Sequence, residues 1–440
     1  MNHSWHRLHF LLVPLLALAC GSSTTTQPAD AGAKDSAELM ADAAVTDDGG
    51  LTEDDGGVTD ALAPVPYAVG LAVLHGDPYY TSSLLSLVDP STGALIHDNC
   101  LNSGSAAPGL SQALSGDVVL PSAPLPGHPL IVIDRGNGNL IWVNPADCSV
   151  TRQISVAQGF LAYPYDVIAV AANKLYVTRY SSNPMPTTTL DGGGDLLIVD
   201  LDQGQPVARI DLAPYASGAG LNPNPDRGQV LDGKLYITLN SFNADFSKAG
   251  MGRVVVVDPA SDTVTGTIDL QGLQNCGPIV PVPGMPKALA VACAGVFKDA
   301  NRLQVSGIAL IDTSTTPPTV KTVVTATAFG RPVSTADLAV ASAGLGLIVV
   351  PGDSSGTPAD ELWRFDFAGG APQMVLAGKA SFVLGGLVYD PTSQRVFVGD
   401  ADAKNPSVRV MDVSSGTPVE LTPINSDPKK NLLPRSLGLY

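Results

Sequence analysis

The chain has 440 residues, with 24 Lys+Arg against 41 Asp+Glu for a net charge of −17, and it carries 45 Gly, 36 Pro and only 15% charged residues. That is length enough for a large folded body, and the acidic balance excludes a basic nucleic-acid binder. Glutamate occurs only at Glu38, Glu53, Glu361 and Glu420 and lysine is sparse, while Gly, Pro, Val, Thr and Ser abound, so mostly helical folds and Rossmann-type alternation are disfavoured.

Residues 1–19 carry Arg7, then an apolar run over 8–19 that ends in small residues before Cys20, the layout of a secretory signal. A run of about a dozen residues is too short to span a bilayer, which needs roughly 20. The junction Leu16-Ala17-Leu18-Ala19-Cys20-Gly21 resembles a bacterial lipoprotein cleavage box. That resemblance implies a lipid (palmitate-type) anchor on Cys20 and a place in the cell envelope, by sorting rules at the outer membrane, facing the periplasm or the cell exterior. Ala17-Leu18-Ala19 also suits an ordinary signal peptidase, which would leave Cys20 a plain thiol. Residues 20–66 are rich in Ala, Asp, Gly, Thr and Ser and read as a solvated tether. The repeats Thr46-Asp47-Asp48-Gly49-Gly50 and Glu53-Asp54-Asp55-Gly56-Gly57 within it lack the alternating ligands of a calcium loop.

From residue 67 to 440 a pattern recurs: an apolar strand, an Asp or Asn, a turn, then an alternating strand. The acidic or amide positions are Asp89, Asn144, Asp200, Asp258, Asp312, Asp366 and Asp412, at intervals of 55, 56, 58, 54, 54 and 46. Upstream of each lies a further strand, as at Leu175-Tyr176-Val177-Thr178 and Leu235-Tyr236-Ile237-Thr238. Seven units near 50 residues, each of four short strands, predict an all-β, seven-bladed β-propeller. The recurrent Asp has a structural role, because its carboxylate can accept the amide two residues on and so fix the turn into the outer strand. Residues 67–100 supply only three strands, so Pro434-Arg435-Ser436-Leu437-Gly438-Leu439-Tyr440 is expected to complete the first blade and remove an open edge. Leu175-Tyr176-Val177-Thr178 and Val257-Asp258-Pro259 resemble the Tyr-Val-Thr-Asn (YVTN) repeat family of bacterial seven-bladed propellers, which implies a fold more than an activity.

Of the four cysteines in the body, Cys276 and Cys293 fall at one face and are expected to pair. Cys100 and Cys148 are expected at opposite faces, and their pairing stays open. The body holds only His75, His97 and His128, with no haem-attachment string and no clustered ligands, so no cofactor or metal is expected. Gly352-Asp353-Ser354-Ser355-Gly356 has the letters of a nucleophile elbow but runs from a polar loop into a strand, where an elbow needs a helix. Gly192-Gly193-Gly194 lacks the Lys and Ser/Thr of a phosphate loop.

Loop length varies on one face of the ring, the face of the second-to-third strand loops and of the connections between blades. It gathers Tyr163, Tyr165, Asp166, Arg179, Tyr180, Tyr215, Arg227, Phe242 and Arg331, residue types that give flat, low-entropy contacts. The expected function is therefore non-enzymatic: a membrane-tethered envelope module binding a protein, peptide or glycan. The alternative is a lactonase-like or lyase-like propeller enzyme with a metal in its channel.

Overall fold

The computed structural model describes residues 69–440, apart from 105, 106, 298, 337, 354, 430 and 431. The segments expected to form the signal and the tether, with Cys20, lie outside the described residues. Seven four-stranded antiparallel sheets follow one another around a ring. Blade 1 is ordered β28-β1-β2-β3, with β1 (Leu71–Gly76), β2 (Ser83–Val88), β3 (Leu95–Asn102) and the C-terminal β28 (Leu433–Leu439) innermost. Blade 2 is β4 (Val118–Val119), β5 (Leu130–Asp134), β6 (Asn139–Val143) and β7 (Val150–Ser155); blade 3 is β8 (Pro164–Ala171), β9 (Lys174–Ser182), β10 (Gly193–Asp200) and β11 (Gln205–Asp211). Blade 4 comprises β12 (Pro225–Leu231), β13 (Lys234–Leu239), β14 (Met251–Asp258) and β15 (Thr263–Gln274), and blade 5 comprises β16 (Cys276–Val282), β17 (Met285–Cys293), β18 (Gly307–Asp312) and β19 (Thr319–Thr325). Blade 6 is β20 (Leu338–Ser342), β21 (Leu345–Val350), β22 (Glu361–Phe365) and β23 (Gln373–Ala377); blade 7 is β24 (Leu384–Asp390), β25 (Arg395–Asp400), β26 (Ser407–Asp412) and β27 (Val419–Glu420).

The side-chain period of two explains the packing. In β5, Leu130 and Val132 enter the cluster shared with blade 1, while Ile131 and Ile133 enter the one shared with blade 3. The same division recurs round the ring, so the core consists of seven apolar layers, one between each pair of neighbouring blades. Second and third strands are buried on both faces and read as nearly unbroken apolar runs, whereas outer strands such as β15 alternate with exposed residues.

The recurrent Asp residues form the expected turns. The side-chain oxygens of Asp89, Asn144, Asp200, Asp258, Asp312 and Asp412 accept the amide two residues on, at 2.8–3.1 Å. Asp366 differs and accepts the Gly369 and Gly370 amides. The ring closes as expected: β28 runs antiparallel to β1 from Leu439 opposite Leu71 to Leu433 opposite Gly76, and the Tyr440 carbonyl accepts the Val69 and Gly70 amides. Gly70 is obligatory there, since a Cβ would lie 2.2 Å from the Tyr440 ring.

Cys276 and Cys293 sit directly opposite each other on β16 and β17 and are bonded. Cys100 and Cys148 are bonded too, with Cα atoms 5.0 Å apart, which corrects the expectation that they end at opposite faces. The reason is a pair of irregularities in β3: between Leu85–Leu101 and Leu87–His97 the outer strand carries extra residues, and this bulge displaces Cys100 into the layer between blades 1 and 2. Cys148 reaches it from the Asn144 turn in the left-handed conformation, φ 61°.

Candidate functional site: the channel mouth on the loop face

Each innermost strand starts at the loop face, so the residues at those starts surround the mouth of the central channel. They divide by blade. Blades 1 to 4 contribute Arg435, Asp117, Asp166 with Tyr165, and Asp226 with Arg227; blades 5 to 7 contribute Gly277, Thr335 and the Gly385-Gly386 pair. Charge and aromatic surface are thus collected over one half of the ring and small residues over the other.

On the charged half, the Arg135 guanidinium pairs with Asp117 through Nε (3.0 Å) and Nη2 and lies over the Tyr165 ring, 4.9 Å from its centroid. Tyr165 stacks on Tyr180 at 4.5 Å, Tyr180 on Phe246 at 6.4 Å, and Phe246 meets Phe242 edge-on, giving an aromatic row across blades 3 and 4. Arg227 donates through Nη1 to the Tyr165 carbonyl (2.9 Å) and lies 4.0 Å from Asp166 and 3.6 Å from Asp226. Asn240 donates to Asp226 (3.0 Å) and to the Tyr180 hydroxyl (3.3 Å), while its own Oδ1 is buried and, among the described residues, without a partner.

Burial dominates the electrostatics. It pushes the Asp226 carboxyl above the usual carboxylate range, against the opposing pull of Arg227 and Asn240, and it pushes Asp166 up against Arg227, Ser122 and Gly228. The Tyr165 phenol is pushed up to about 12, and Tyr180 is pushed well above its ordinary value, again through burial. Gly277 makes room for Asp226: a Cβ there would come within 2.9 Å of its Oδ2.

All nine residues expected on the loop face lie at loop-face strand ends or connections, but four of them are too buried to touch a partner, which corrects that part of the sequence reading. Arg179 is fully buried and holds Asp195 bidentately (2.7 and 2.6 Å), also donating to the Leu190 carbonyl, so it staples β9 to β10. Asp166 accepts the Ser122 amide and hydroxyl and the Gly228 amide, and so ties blade 3 to its neighbours. Tyr180 and Phe242 are interior members of the aromatic row. Tyr163, Tyr165, Tyr215, Arg227 and Arg331 remain partly accessible, and Arg331 is remote from the row, paired with Glu361 at 2.6 Å in blade 6.

Sequence reasoning missed Tyr79, Tyr80, Arg135, Asp117 and Arg435. Tyr79 and Tyr80 are 77% and 42% exposed at the tip of the β1–β2 loop. Asp77 rigidifies that loop by accepting the Tyr79, Thr81 and Ser82 amides and the Thr81 hydroxyl. An Asp followed within five residues by Thr and Ser was the available signal.

Among the described residues no group of three or more His, Cys, Asp or Glu is placed to hold a metal ion. The string that begins at Gly352 falls between β21 and β22, followed by a strand rather than a helix, with the Gly352 amide donated to Asp360, so no elbow forms.

No protein-family model matches the sequence, and no curated protein matches it. Solved structures are similar to it at low identity. A protein of unknown function from Desulfotomaculum acetoxidans is 11% identical, with 84% of this chain and 98% of that one covered at a TM-score of 0.48. A candidate 6-phosphogluconolactonase from Bacteroides fragilis is 11% identical over 87% and 99% of the two chains, TM-score 0.47. TolB from Acinetobacter baumannii is 12% identical over 86% and 68%, TM-score 0.41. The chain is a seven-bladed β-propeller closed by its own C-terminal strand.

Proposed function

We propose that this propeller is a binding module of the bacterial cell envelope, tethered to the membrane by a lipid on Cys20, and that it recognises a protein, peptide or glycan through the loop face of blades 1 to 4. The tether and anchor rest on the leader, Ala19-Cys20 and the polar segment 20–66, and the repeat resembles that of the Tyr-Val-Thr-Asn propellers. One observation supports the recognition surface above the others: accessible aromatic and Arg side chains are collected over one half of the channel mouth, on loops held by carboxylates such as Asp77 and Asp117. Rigid aromatic and guanidinium groups of this kind carry most binding energy at interfaces.

The partner captured from envelope extracts by cross-linking should lose affinity at least tenfold on Tyr79→Ser, Tyr165→Ala or Arg227→Ala, and not on Asp258→Ala or Asp412→Ala, which change short turns on the other face. Loss on the short-turn face alone would overturn this reading. Intact mass and membrane fractionation, compared with Cys20→Ala, test the anchor: soluble wild-type protein beginning at an unmodified Cys20 would refute it.

A second reading, an envelope hydrolase or lyase, is favoured by Asp226, a buried carboxyl whose pKa burial raises, bridged by Asn240 to the Tyr180 hydroxyl and 3.6 Å from Arg227 at the mouth. Turnover of lactones or acidic glycans that vanishes in Asp226→Asn with the fold intact would select it.

A further inference from the structure

Arg435 is the one charged residue of the β28 segment, and it sits on the irregularity between Leu74 and His75 where β28 departs from regular pairing with β1. Its stem passes over Gly76, where a Cβ would lie 3.0 Å from Cδ and 3.2 Å from Nε. Its guanidinium then lies on the exposed ring of Tyr80, 4.5 Å from the centroid. The Nε is buried and, among the described residues, has no hydrogen-bond acceptor. No carboxylate pairs with it among them either, although Asp77 and Asp117 stand nearby: the Asp77 oxygens are taken by the donors of their own loop, and Asp117 is engaged by Arg135. A buried donor left unmade is costly, and more so for a charged group, and here a half-buried guanidinium lies on an aromatic platform with its Nε, among the described residues, lacking an acceptor.

The surroundings say what fits. Arg135, engaged by Asp117 and lying over the Tyr165 ring, leaves Arg435 as the guanidinium stacked on Tyr80. Guanidinium forks match planar or tetrahedral oxyanions through paired N–H donors, and stacking on a ring fixes the fork in advance. Tyr79, mostly exposed on the same loop, offers apolar surface to whatever carries the anion.

We propose that Arg435, stacked on Tyr80, is the anchor of an oxyanion subsite at the channel mouth that accepts a carboxylate or phosphate group of the ligand. This rests on the loop face being the recognition surface, yet it can be tested without any partner.

The full chain, labelled with nitrogen-15, is titrated with sodium phosphate and separately with sodium acetate at ionic strength held constant with chloride, following the arginine Nε–H resonances. The Arg435 signal, identified by its loss in Arg435→Lys, should move saturably with at least one of the two anions. Isothermal titration of the same anions should show affinity reduced about tenfold in Arg435→Lys, which keeps the charge and loses the fork, and abolished in Arg435→Gln. Tyr80→Leu, which leaves Arg435 in place but removes its platform, should weaken binding several-fold. Neither Arg435 variant should melt at lower temperature, because no ion pair is lost. Response to phosphate alone assigns a phosphorylated ligand; response to acetate, with or without phosphate, assigns a carboxylate. An Arg435 resonance that ignores both anions, or equal affinity in wild type and Arg435→Gln, would overturn the subsite while leaving the partner-binding test untouched. Loss of partner binding on Tyr79→Ser combined with a silent Arg435 would sink only the present inference.

Discussion

A carboxylate that accepts several backbone amides spends its lone pairs on holding loops in place, and two residues show the range. Asp360, fully buried, accepts the amides of Gly352, Phe382, Val383 and Leu384 at 2.6–2.8 Å and so fixes the blade 6 loop to the first strand of blade 7. Replacing it with Asn removes charge-assisted bonds and places an amide N–H against donors, so Asp360→Asn should cost about 3 kcal/mol in chemical denaturation. Asp412, on the surface, accepts only from Ser414, and Asp412→Ala should lower the melting temperature slightly.

His75 works through burial. Desolvation lowers its imidazole to about 4, although Asp427 and the Leu432 carbonyl, 3.2 Å from Nδ1, favour the charged form. The unfolded chain binds this proton near the ordinary value of about 6.5 and the folded protein does not, so stability falls as pH drops from about 6.5 to about 4. The integrated loss is about 3 kcal/mol, and His75→Gln should flatten that part of a melting-temperature profile against pH. The Asp turns could be read from sequence because donor and acceptor are two residues apart. The burial of Arg179 could not, because its partner Asp195 lies across a strand pair whose register only the fold defines.

At the scale of elements, seven similar segments specify seven blades, and the count of strands foretold that the last must join the first. Leu437, Leu439 and Tyr440 are buried at that seam. Exposing three such side chains costs about 5 kcal/mol or more, comparable with the stability of a whole domain, so a chain lacking residues 433–440 should unfold cooperatively at markedly lower denaturant. A truncated body that melts like the intact one would show that β28 is dispensable. The two disulfides close segments of different length, with sequence separations of 48 and 17. By loop entropy, a Cys100→Ser/Cys148→Ser pair should lose about 4 kcal/mol and a Cys276→Ser/Cys293→Ser pair about 3 kcal/mol by equilibrium denaturation. The first bridge escaped the sequence because it depends on a bulge in β3, and no residue pattern there announces extra residues in an outer strand.

For the whole molecule, repeat spacing fixes which end of each strand lies on which face, so the face carrying long loops was evident before any coordinates. Which residues on it stay accessible was not, because the aromatic row arises where blades 3 and 4 lean on one another and its members come from separate repeats. Arg435 stands on the seam strand, whose sequence resembles any other innermost strand. Its lack of a carboxylate partner among the described residues follows from Asp77 and Asp117 being occupied elsewhere.

The seam has a mechanical meaning as well. The chain enters the ring at Val69 on the short-turn face, with its amide 2.6 Å from the Tyr440 carbonyl. A load drawn from a partner on the loop face toward anything attached ahead of Val69 runs along β1, which is hydrogen-bonded on one side to β28 and on the other to β2. Both ladders are then sheared at once, all rungs sharing the strain. Pulling Val69 away from Tyr440 opens the same β1–β28 ladder from its end, one rung at a time. Force spectroscopy with handles at Tyr79 and Val69 should therefore record a higher rupture force than with handles at Val69 and Tyr440.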